Sequence, residues 1–367
     1  MARIEGLSLH RLSVPLRRPF VTAIRSAVVV DVLLVQVRDS DGRSGWGEAP
    51  TSWRVTGESA DSVSAALSGP LIDAVRGVST DDVEGIGVLI ERAVVQNSAA
   101  RMALDCALYD LAAQARAMPL AQFLGGTRTT ARTDMTLSAA VTPSDRANLV
   151  QHAVECVADG FSTLKVKVGA GGDDVNDLIE IRRAVGEHVR LRADANQSWS
   201  RERAIRIISA LEDAGVGLEF VEQPVDRDDI EGLALVAAAV ETPVMVDESV
   251  WTSRDLREVI RLGAADMINI KLAKTGGLRA AMQMATLARN HAIGVIVGCM
   301  AESHVGISAA ATLASVLDAN AASAPAHDLD GGLLLTYSPV VGGVTYRGDL
   351  LELSEKPGLG ITSLATN

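Results

Sequence analysis

Apolar and polar residues alternate along the chain in two successive patterns, and each pattern predicts a different kind of domain. Residues 4–38 alternate with the two-residue period of β-strands, and this stretch ends in a turn at Asp39 to Gly42. From Ser59 to Leu124 the apolar residues recur with the spacing of helices. Strands followed by helices predict a separate α+β domain at the N-terminus.

A short apolar strand followed by a helical stretch recurs after Leu124. Eight such strands lie near residues 133, 163, 189, 218, 242, 265, 294 and 328, with neighbours roughly 23–34 residues apart, about one βα unit. This period predicts a parallel barrel closed by helices. The alternative is an open doubly wound sheet, but GAGG at 169–172 lacks the third glycine of a dinucleotide fingerprint. The tail, with GGVTYRGDLLEL and KPGLGI, is expected to add strands that pack on the first domain.

Three consecutive predicted strands end in a carboxylate, at Asp194, Glu222 and Asp247. In a barrel of parallel strands the chemistry lies at the carboxyl ends of the strands. Mg²⁺ suits three carboxylates there, because water or substrate oxygens complete its octahedron. Each acid taken alone could be an ordinary helix cap or loop residue. Their placement on consecutive strands favours a metal site.

Lysines flank the three carboxylates in the order of the strands. TLKVKVG places Lys165 and Lys167 on one face of strand 2, because side chains two residues apart on a strand point the same way. Lys271 ends strand 6, in INIKLAKTGG. A solvated strand face is the simpler interpretation of two such lysines. Their position on both sides of the acids instead predicts that they face each other across the metal.

Strands 7 and 8 carry further polar residues at their ends. Strand 7 runs to Cys299 and Glu302, and strand 8 ends with Asp328 and Asp330, which share one strand face. We expect the remaining polar residues near the strand ends to be structural or to orient ligands. These residues are Asn196, Glu248, His304 and His327.

Composition bears on which molecules the protein can bind and on its cellular compartment. The net charge is −12 and aromatic residues make up 3% of the chain, which argues against a nucleic-acid-binding protein. The apolar run from Ile307 to Leu317 is too short to span a bilayer, and the N-terminus has the alternation of a strand rather than of a signal peptide. Three widely spaced cysteines without a CxxC motif fit a reducing cytosol, so we expect a cytoplasmic protein. Assembly into a homo-oligomer stays open.

The motifs TLKVKVG, RADANQ, VEQPV, VDES and DMINIKLAKTGG resemble, in order and spacing, those of the enolase superfamily in its muconate-lactonising-enzyme-like subgroup. The resemblance covers nearly the whole chain. It implies a modified TIM-type (β/α)7β barrel at 125–342 and an α+β capping domain at 1–124, completed by about 343–367. It also implies Mg²⁺ held by Asp194, Glu222 and Asp247, with Lys167 and Lys271 as acid and base.

The implied chemistry is consistent with these residue types. Mg²⁺ on a substrate carboxylate would stabilise the enediolate formed when the neighbouring α-proton leaves. The base must be a neutral lysine, and the second ammonium, Lys165, would disfavour the charged form of Lys167. One lysine on each face of a planar intermediate permits a 1,1-proton transfer with inversion.

Two further stretches resemble dipeptide epimerases within this subgroup. HDLDGG resembles their Asp-x-Asp motif, and paired carboxylates suit a free α-ammonium group. PFVTAIRSA (19–27) resembles the cap loop of the epimerases that act on Ala-Glu, with Arg25 in the place of the arginine that meets the acidic side chain, and VTGES (55–59) resembles the second cap loop. After Asp330 the HDLDGG stretch continues as Gly331-Gly332, where relatives often have Gly-Pro or Ala-Pro. We expect the substrate to contact Arg25, Thr136, Lys165, Cys299, Asp328 and Asp330.

The sequence thus favours a Mg²⁺-dependent isomerase that epimerises L-Ala-L/D-Glu or a similar dipeptide. The alternatives on the same scaffold are a cycloisomerase, an o-succinylbenzoate synthase and an N-acylamino-acid racemase. Their substrates carry no free α-ammonium group, so the Asp328–Asp330 pair argues against them. A barrel that only binds ligands would be expected to lack one of the carboxylates or lysines, and none is missing.

Overall fold

The computed structural model describes residues 2–23, 26–319, 321 and 324–366. The chain begins with a three-stranded antiparallel sheet in the order β1-β2-β3. Helices follow, with a short π-helical segment (Leu67–Leu71) between the first two. The elements of this part are β1 (Ile4–Val21), β2 (Ser26–Asp39), β3 (Ser44–Pro50), α1 (Ala60–Ala66), α2 (Ile72–Val75), α3 (Val83–Ala93), α4 (Ser98–Ala115) and α5 (Leu120–Phe123).

Helix α4 packs directly on strand β3, and two glycines allow this approach. A Cβ added at Gly45 would lie 2.1 Å from the carbonyl oxygen of Ala107, and one added at Gly47 would lie 1.9 Å from that of Ala103. Neither position can hold a larger residue without moving the helix. The GWGEAP stretch therefore fixes the distance between sheet and helix in the capping region.

Seven parallel strands form the second sheet, in the order β11-β10-β9-β8-β7-β6-β5. Helices connect the successive strands. The seven strands are β5 (Met135–Leu137), β6 (Thr163–Lys167), β7 (Arg190–Asp194), β8 (Leu218–Glu222), β9 (Val244–Val246), β10 (Met267–Lys271) and β11 (Gly294–Gly298). Two further strands, β4 (Thr130–Thr133) and β12 (Ala326–His327), lie in an adjoining four-stranded sheet. The helices are α6 (Pro143–Ala158), α7 (Asp174–Val185), α8 (Arg201–Asp213), α9 (Ile230–Ala239), α10 (Ser253–Leu262), α11 (Leu272–Thr275), α12 (Leu278–Asn290), α13 (His304–Leu317) and α14 (Gly331–Leu334).

The first and last strands close the sheet into a barrel. Gly298 at the end of β11 forms a parallel bridge with Asp328, and β12 pairs in parallel with β4. The predicted barrel is confirmed, but its first strand is divided into β4 and β5 at Asp134 and its eighth strand is short. Strand β12 has two residues because the chain turns into α14 at Gly331, directly after the Asp-x-Asp motif.

The tail contacts both parts of the molecule. Strand β15 (Leu350–Glu352) pairs with β4 of the barrel and with β14 (Thr345–Arg347), while β13 (Val340–Val341) pairs with β16 (Ser363–Leu364). Gly358 exchanges backbone hydrogen bonds with Met118 and Leu120 of the capping region. The assignment of about 343–367 to the cap, like the boundary between 124 and 125, remains a prediction.

The apolar interior is continuous from the barrel into the capping region. One cluster joins Val14, Val32 and Trp46 of the first sheet to the buried strands and inner helix faces of the barrel. A second cluster lies between the first sheet and helices α1 to α4. No helix in the described part of the chain combines the length and the apolar character needed to cross a membrane.

Candidate active site

The predicted site residues stand at one level because the parallel strands are in register. Lys167 of β6 pairs with Asp194 of β7, and Asp194 pairs with Glu222 of β8. Asp247 follows the last residue of β9, and Lys271 is the last residue of β10. All five side chains are buried, with at most 8% of their surface exposed. The structure therefore brings together the predicted carboxylates and both predicted catalytic lysines.

The lysines bind the carboxylates directly. Lys167 Nζ donates to Asp194 Oδ2 at 2.5 Å, and Lys271 Nζ donates to Asp247 Oδ2 at 2.8 Å. Lys165, which is 1% exposed, lies deeper, with its ammonium 3.0 Å from Asp194 Oδ2 and 2.6 Å from Glu222 Oε2. Burial opposes its charge, but the surrounding carboxylates outweigh burial and raise the pKa of Lys165 well above its ordinary value. The carboxylates thus favour the protonated form of Lys165 beneath the site.

Burial and the neighbouring lysines shift the pKa values of the carboxyl groups in opposite directions. Burial raises the pKa of each, but the lysines around Asp194 and Asp247 outweigh it and hold the pKa of both below the ordinary value. Burial, followed by the charge of Asp194, raises the pKa of Glu222 to about 7. For Lys271 burial has the largest effect and lowers the pKa, but the carboxylates of Asp247, Glu222 and Asp328 together outweigh it, so the pKa is raised.

Lys274 is a fourth buried lysine in the site, and the sequence analysis did not select it. Its ammonium lies 2.6 Å from Asp247 Oδ1, donates to the carbonyl oxygen of Asp247, and donates to that of Asn269 at 3.0 Å. Asp247 is thus held between Lys271 on one oxygen and Lys274 on the other. The spacing K-x-x-K was the available signal, since a helix beginning directly after Lys271 brings Lys274 back over the strand end.

Carboxyl groups outnumber cationic side chains among the described buried residues around the site. Seven buried carboxyl groups face five buried cationic side chains. Glu222 Oε2 and Asp247 Oδ1 lie in ion pairs but accept no hydrogen bond. Hard carboxylate oxygens, two of them without a hydrogen-bond donor, fit a divalent cation such as Mg²⁺. The acids are Asp134, Asp194, Glu222, Asp247, Glu248, Asp328 and Asp330, and the cations are Lys165, Lys167, Arg192, Lys271 and Lys274.

Asn196 and Glu248 connect two of these carboxylate-bearing loops, as expected. The backbone N–H of Asn196 donates to Asp194 Oδ1 at 2.9 Å, and its side-chain amide donates to Glu248 Oε1 at 3.2 Å. Burial, with Asp247 next in effect, raises the pKa of Glu248 to about 7. Asn196 Oδ1 and Glu248 Oε2 are buried without hydrogen-bond partners. They offer two further polar oxygens beside the predicted metal ligands.

A second acidic cluster stands between the strands that close the barrel. Ligand oxygens of Asp134, Asp328 and Asp330 all lie within 4.8 Å of one another. Asp134 accepts from Arg192 at 2.7 Å, and Asp328 accepts from Lys165 at 2.8 Å. Asp330 accepts the backbone N–H of Thr136 at 2.7 Å and a hydrogen bond from the Thr136 side chain, and it forms no ion pair within the described part of the chain. Two of the three aspartates are therefore neutralised by the protein, and Asp330 is not.

Burial and the charge of Asp328 raise the pKa of Asp330 to about 6. Asp328 behaves in the opposite way, because Lys165 and the other lysines overcome its burial and lower its pKa. Arg192 holds this cluster from below, donating to Asp134 and to the carbonyl oxygen of Ala326 at 2.7 Å. Asp134 and Arg192 were not among the predicted site residues, although Arg192 lies two residues before Asp194 and therefore on the same strand face.

These residues open into a cavity of about 420 Å³ between the barrel and the first sheet. Of the predicted site residues, the lining includes Thr136, Lys167, Asp247, Lys271, Cys299, Asp328 and Asp330, while Lys165, Asp194 and Glu222 are buried behind it. Burial raises the pKa of Cys299 well above its ordinary value, so this residue lines the cavity as a neutral thiol. Predicted residue Arg25 lies outside the described residues.

The capping region supplies the opposite wall of this cavity. Apolar side chains of the first two strands, including Leu16, Phe20 and Val29, face it together with Trp53 and Arg54. Trp53 is 72% exposed at its rim. The cavity therefore combines a charged floor from the barrel with a roof of mixed apolar and polar side chains from the cap.

Both histidines near the strand ends have structural partners, in agreement with the sequence analysis. His327 Nδ1 accepts the backbone N–H of Val297 at 3.0 Å, and its Nε2 lies 3.1 Å from Asp318. His304 packs edge-on against Tyr346, and burial lowers its pKa to about 4. Neither ring is a ligand in this site.

Comparison with known proteins agrees with this geometry. The N-terminal domain of the mandelate racemase / muconate lactonizing enzyme family matches residues 6–125, and an enolase C-terminal domain-like family matches residues 148–365. The L-Ala-D/L-Glu epimerase of Bacillus subtilis is 40% identical over 365 residues, which cover 99% of this chain and 98% of that protein.

Solved structures extend the similarity to three dimensions. A substrate-liganded complex of the L-Ala-D/L-Glu epimerase from Bacillus subtilis superimposes with a TM-score of 0.94 at 39% identity, covering 99% of this chain and 100% of that one. A dipeptide epimerase from Enterococcus faecalis, complexed with Mg and L-Leu-L-Tyr, gives a TM-score of 0.92 at 36% identity, covering 98% and 99%. The chain therefore belongs to the mandelate racemase / muconate lactonizing enzyme family of the enolase superfamily.

Proposed function

We propose that this protein is a Mg²⁺-dependent dipeptide epimerase that inverts the α-carbon of the C-terminal residue of L-Ala-L/D-Glu or a similar dipeptide. One observation carries the proposal: Lys167 and Lys271 enter the cavity from opposite sides of a buried carboxylate set, while Asp330 faces it without a cation of its own. The dipeptide-epimerase relatives in Bacillus and Enterococcus support the same reaction class.

Asp194, Glu222 and Asp247 would hold the metal. When bound, Mg²⁺ supplies the positive charge that stabilises the enediolate form of the substrate carboxylate. The lysines supply the proton transfer: one removes the α-proton from one face, and the other returns a proton to the opposite face. Strands β7 to β9 separate β6 from β10, which supports Lys167 and Lys271 acting from the two sides that this inversion requires. Lys165 stays protonated below and keeps positive charge near the reacting carboxylate.

The substrate's free ammonium group belongs at Asp330. Asp134 and Asp328 already have Arg192 and Lys165 as partners, so Asp330 is the carboxylate whose charge remains available. Its hydrogen bond from Thr136 fixes its orientation toward the cavity. A substrate without an ammonium group would leave this buried carboxylate unpaired, at a cost of about 2–5 kcal/mol. This argues against a cycloisomerase, an o-succinylbenzoate synthase and an N-acylamino-acid racemase.

Several finer assignments belong to the same proposal. We place Arg25 beside the side chain of the residue that is inverted, and we place Cys299 beside the N-terminal residue, with Thr136 orienting its ammonium site. The three cysteines are free and buried, which supports a cytoplasmic enzyme. A homo-oligomeric state remains a prediction.

A dipeptide library incubated with Mg²⁺ in D₂O tests the function. Each epimerised dipeptide gains one deuteron at its C-terminal α-carbon, and mass spectrometry combined with separation of diastereomers detects both changes. We expect L-Ala-L-Glu among the best substrates, with the Asp247→Asn variant as the inactive control. A protein that leaves all free dipeptides unchanged but racemises N-acylamino acids would contradict the proposal.

A further inference from the structure

A second polar cavity lies on the seam between the capping region and the barrel, away from the site described above. Its volume is about 380 Å³, and it shares no lining residue with the first cavity. Helices α3 and α4 of the cap contribute Glu91, Arg101 and Asp105, and helices α10 and α12 of the barrel contribute Arg254, Arg257 and Arg279. Four guanidinium groups thus face one space in a chain whose net charge is −12.

The two acids of this cavity already have partners. Asp105 accepts the backbone N–H groups of Leu278 at 2.6 Å and Arg279 at 3.4 Å, so its carboxylate caps the start of α12. Glu91 accepts from Arg279 at 3.3 Å, and Arg279 also donates to Glu84 at 3.0 Å. The charge of Arg279 is therefore balanced by Glu84 and Glu91.

The other three arginines form no close ion pair with a described residue. Within the described part of the chain, no carboxylate oxygen lies within 4 Å of the guanidinium groups of Arg101, Arg254 or Arg257. The Nε of Arg101 is buried and has no hydrogen-bond partner, and its guanidinium lies against Gly276. Burial lowers the pKa of Arg101 even though Glu91, Glu58 and Asp105 oppose that effect. A half-buried guanidinium with a free N–H stabilises the fold poorly unless an anion reaches it.

We propose that this interdomain cavity binds a multivalent oxyanion of the phosphate type. Guanidinium groups bind phosphate oxygens through paired N–H donors, and three of them converging on one cavity supply more positive charge than a single carboxylate needs. Clefts at domain interfaces are common ligand sites, and this one is lined by both domains. The proposal does not depend on the epimerase chemistry.

The position of the cavity connects it to the active site. Its wall includes Trp251, whose indole N–H donates to the carbonyl oxygen of Glu248 at 2.7 Å, and Glu248 lines the active-site cavity. Its wall also includes Thr275 and Gly276, at the end of the short helix that follows Lys271. An anion here would contact the segments that follow both Asp247 and Lys271, so its binding is expected to change turnover as well as stability.

Calorimetric titration of the full-length protein with inorganic phosphate tests the proposal, with sodium chloride holding the ionic strength constant. We expect one phosphate per chain, and a thermal unfolding midpoint that rises with phosphate concentration because the ligand binds the folded state. Arg101→Met and Arg257→Met should each weaken phosphate binding at least about tenfold, as expected when a charged partner is lost. Methyl phosphate in a parallel titration shows whether a phosphorylated metabolite also fits.

Arg183→Met is the matched control, because Arg183 is 71% exposed on α7 and pairs with Glu180 outside the cavity. It should bind phosphate like the wild type. Arg257 lies on the surface of α10, so its replacement tests the site even if Arg101→Met is poorly folded. The proposal is overturned if the wild type shows no stoichiometric phosphate binding, or if Arg257→Met binds phosphate as tightly as Arg183→Met.

Discussion

Asp330→Asn should separate recognition of the substrate ammonium from the rest of the reaction. Asparagine keeps the size of the side chain and an oxygen that can still accept the N–H of Thr136 at 2.7 Å, but it removes the negative charge. Asp330 is 3% exposed and is the one member of its cluster without a cationic partner in the described part of the chain. The substitution therefore removes the charge that we assign to the substrate's ammonium group and leaves the lysines and metal ligands in place.

The expected size of the effect follows from this burial. Losing one partner of a desolvated charge pair costs about 2–5 kcal/mol, which corresponds to a loss of about 30-fold to several thousand-fold in kcat/KM. The free energy of unfolding should instead be higher for Asp330→Asn than for the wild type above about pH 6. Burial and Asp328 raise the pKa of Asp330 to about 6 from 3.8, so the folded protein binds more protons than the unfolded chain between these values. Ionising Asp330 therefore costs stability as pH rises through this range, and the Asp330→Asn variant avoids that cost.

The assay compares L-Ala-L-Glu with N-acetyl-L-Ala-L-Glu in the wild type and in Asp330→Asn. Acetylation removes the substrate's charge, so the variant should lose far more activity on the free dipeptide than on the acetylated one. In the wild type, kcat/KM for the free dipeptide should fall as pH decreases through about 6, where Asp330 takes up a proton. An equal loss on both substrates, with unchanged unfolding temperature, would refute the assignment of Asp330.

Four further predictions concern the metal, the two lysines, Arg25 and Ala301. Excess EDTA should abolish turnover and Mg²⁺ should restore it, and Asp247→Asn should bind Mg²⁺ much more weakly while remaining folded; full activity in EDTA would exclude the metal. Lys167→Ala and Lys271→Ala should both stop epimerisation but exchange the α-proton of opposite stereoisomers with D₂O, so wild-type epimerisation by either would disprove the assignment. Arg25→Ala should lose more activity on L-Ala-L-Glu than on L-Ala-L-Leu, and an unchanged ratio of the two would place Arg25 outside the site. Ala301 lines the cavity, so Ala301→Leu should lower kcat/KM for L-Leu-L-Glu relative to L-Ala-L-Glu by about tenfold, as measured in a dipeptide panel.

The site residues at the strand ends could be predicted from the sequence. Two periodicities were enough: the recurrence of strands along the chain and the alternation of side chains within a strand. The recurrence of strands predicted a parallel barrel, and parallel barrels align the carboxyl ends of their strands. The i, i+2 rule then placed Lys165 and Lys167 on one face, and register in the structure sets Lys167 beside Asp194. This part of the site required no knowledge of side-chain contacts.

The contacts between strands that are not neighbours could not be predicted in the same way. Arg192 reaches Asp134 because the barrel closes, and closure depends on strands only two to four residues long, β4 and β12. Asn269 donates to Glu222 at 2.9 Å and to Asp328 at 3.2 Å, across the interior of the barrel. Lys274 depends on a helix that starts at the residue after Lys271. Periodicity identifies the face of each such side chain but not the partner across the barrel.

The attachment of the capping region indicates which part of it can respond to substrate. Glu48 of β3 accepts the N–H groups of Ser303 and Gly306 at the start of α13, and Asp105 of α4 accepts those at the start of α12. Two cap carboxylates thus cap two barrel helices, and both are buried. A rigid movement of the whole cap would break these hydrogen bonds and leave the starts of both helices without their caps, at a cost of about 0.5–2 kcal/mol for each. Closure over a substrate is therefore expected in the cap segments that line the cavity, where Trp53 keeps most of its surface exposed.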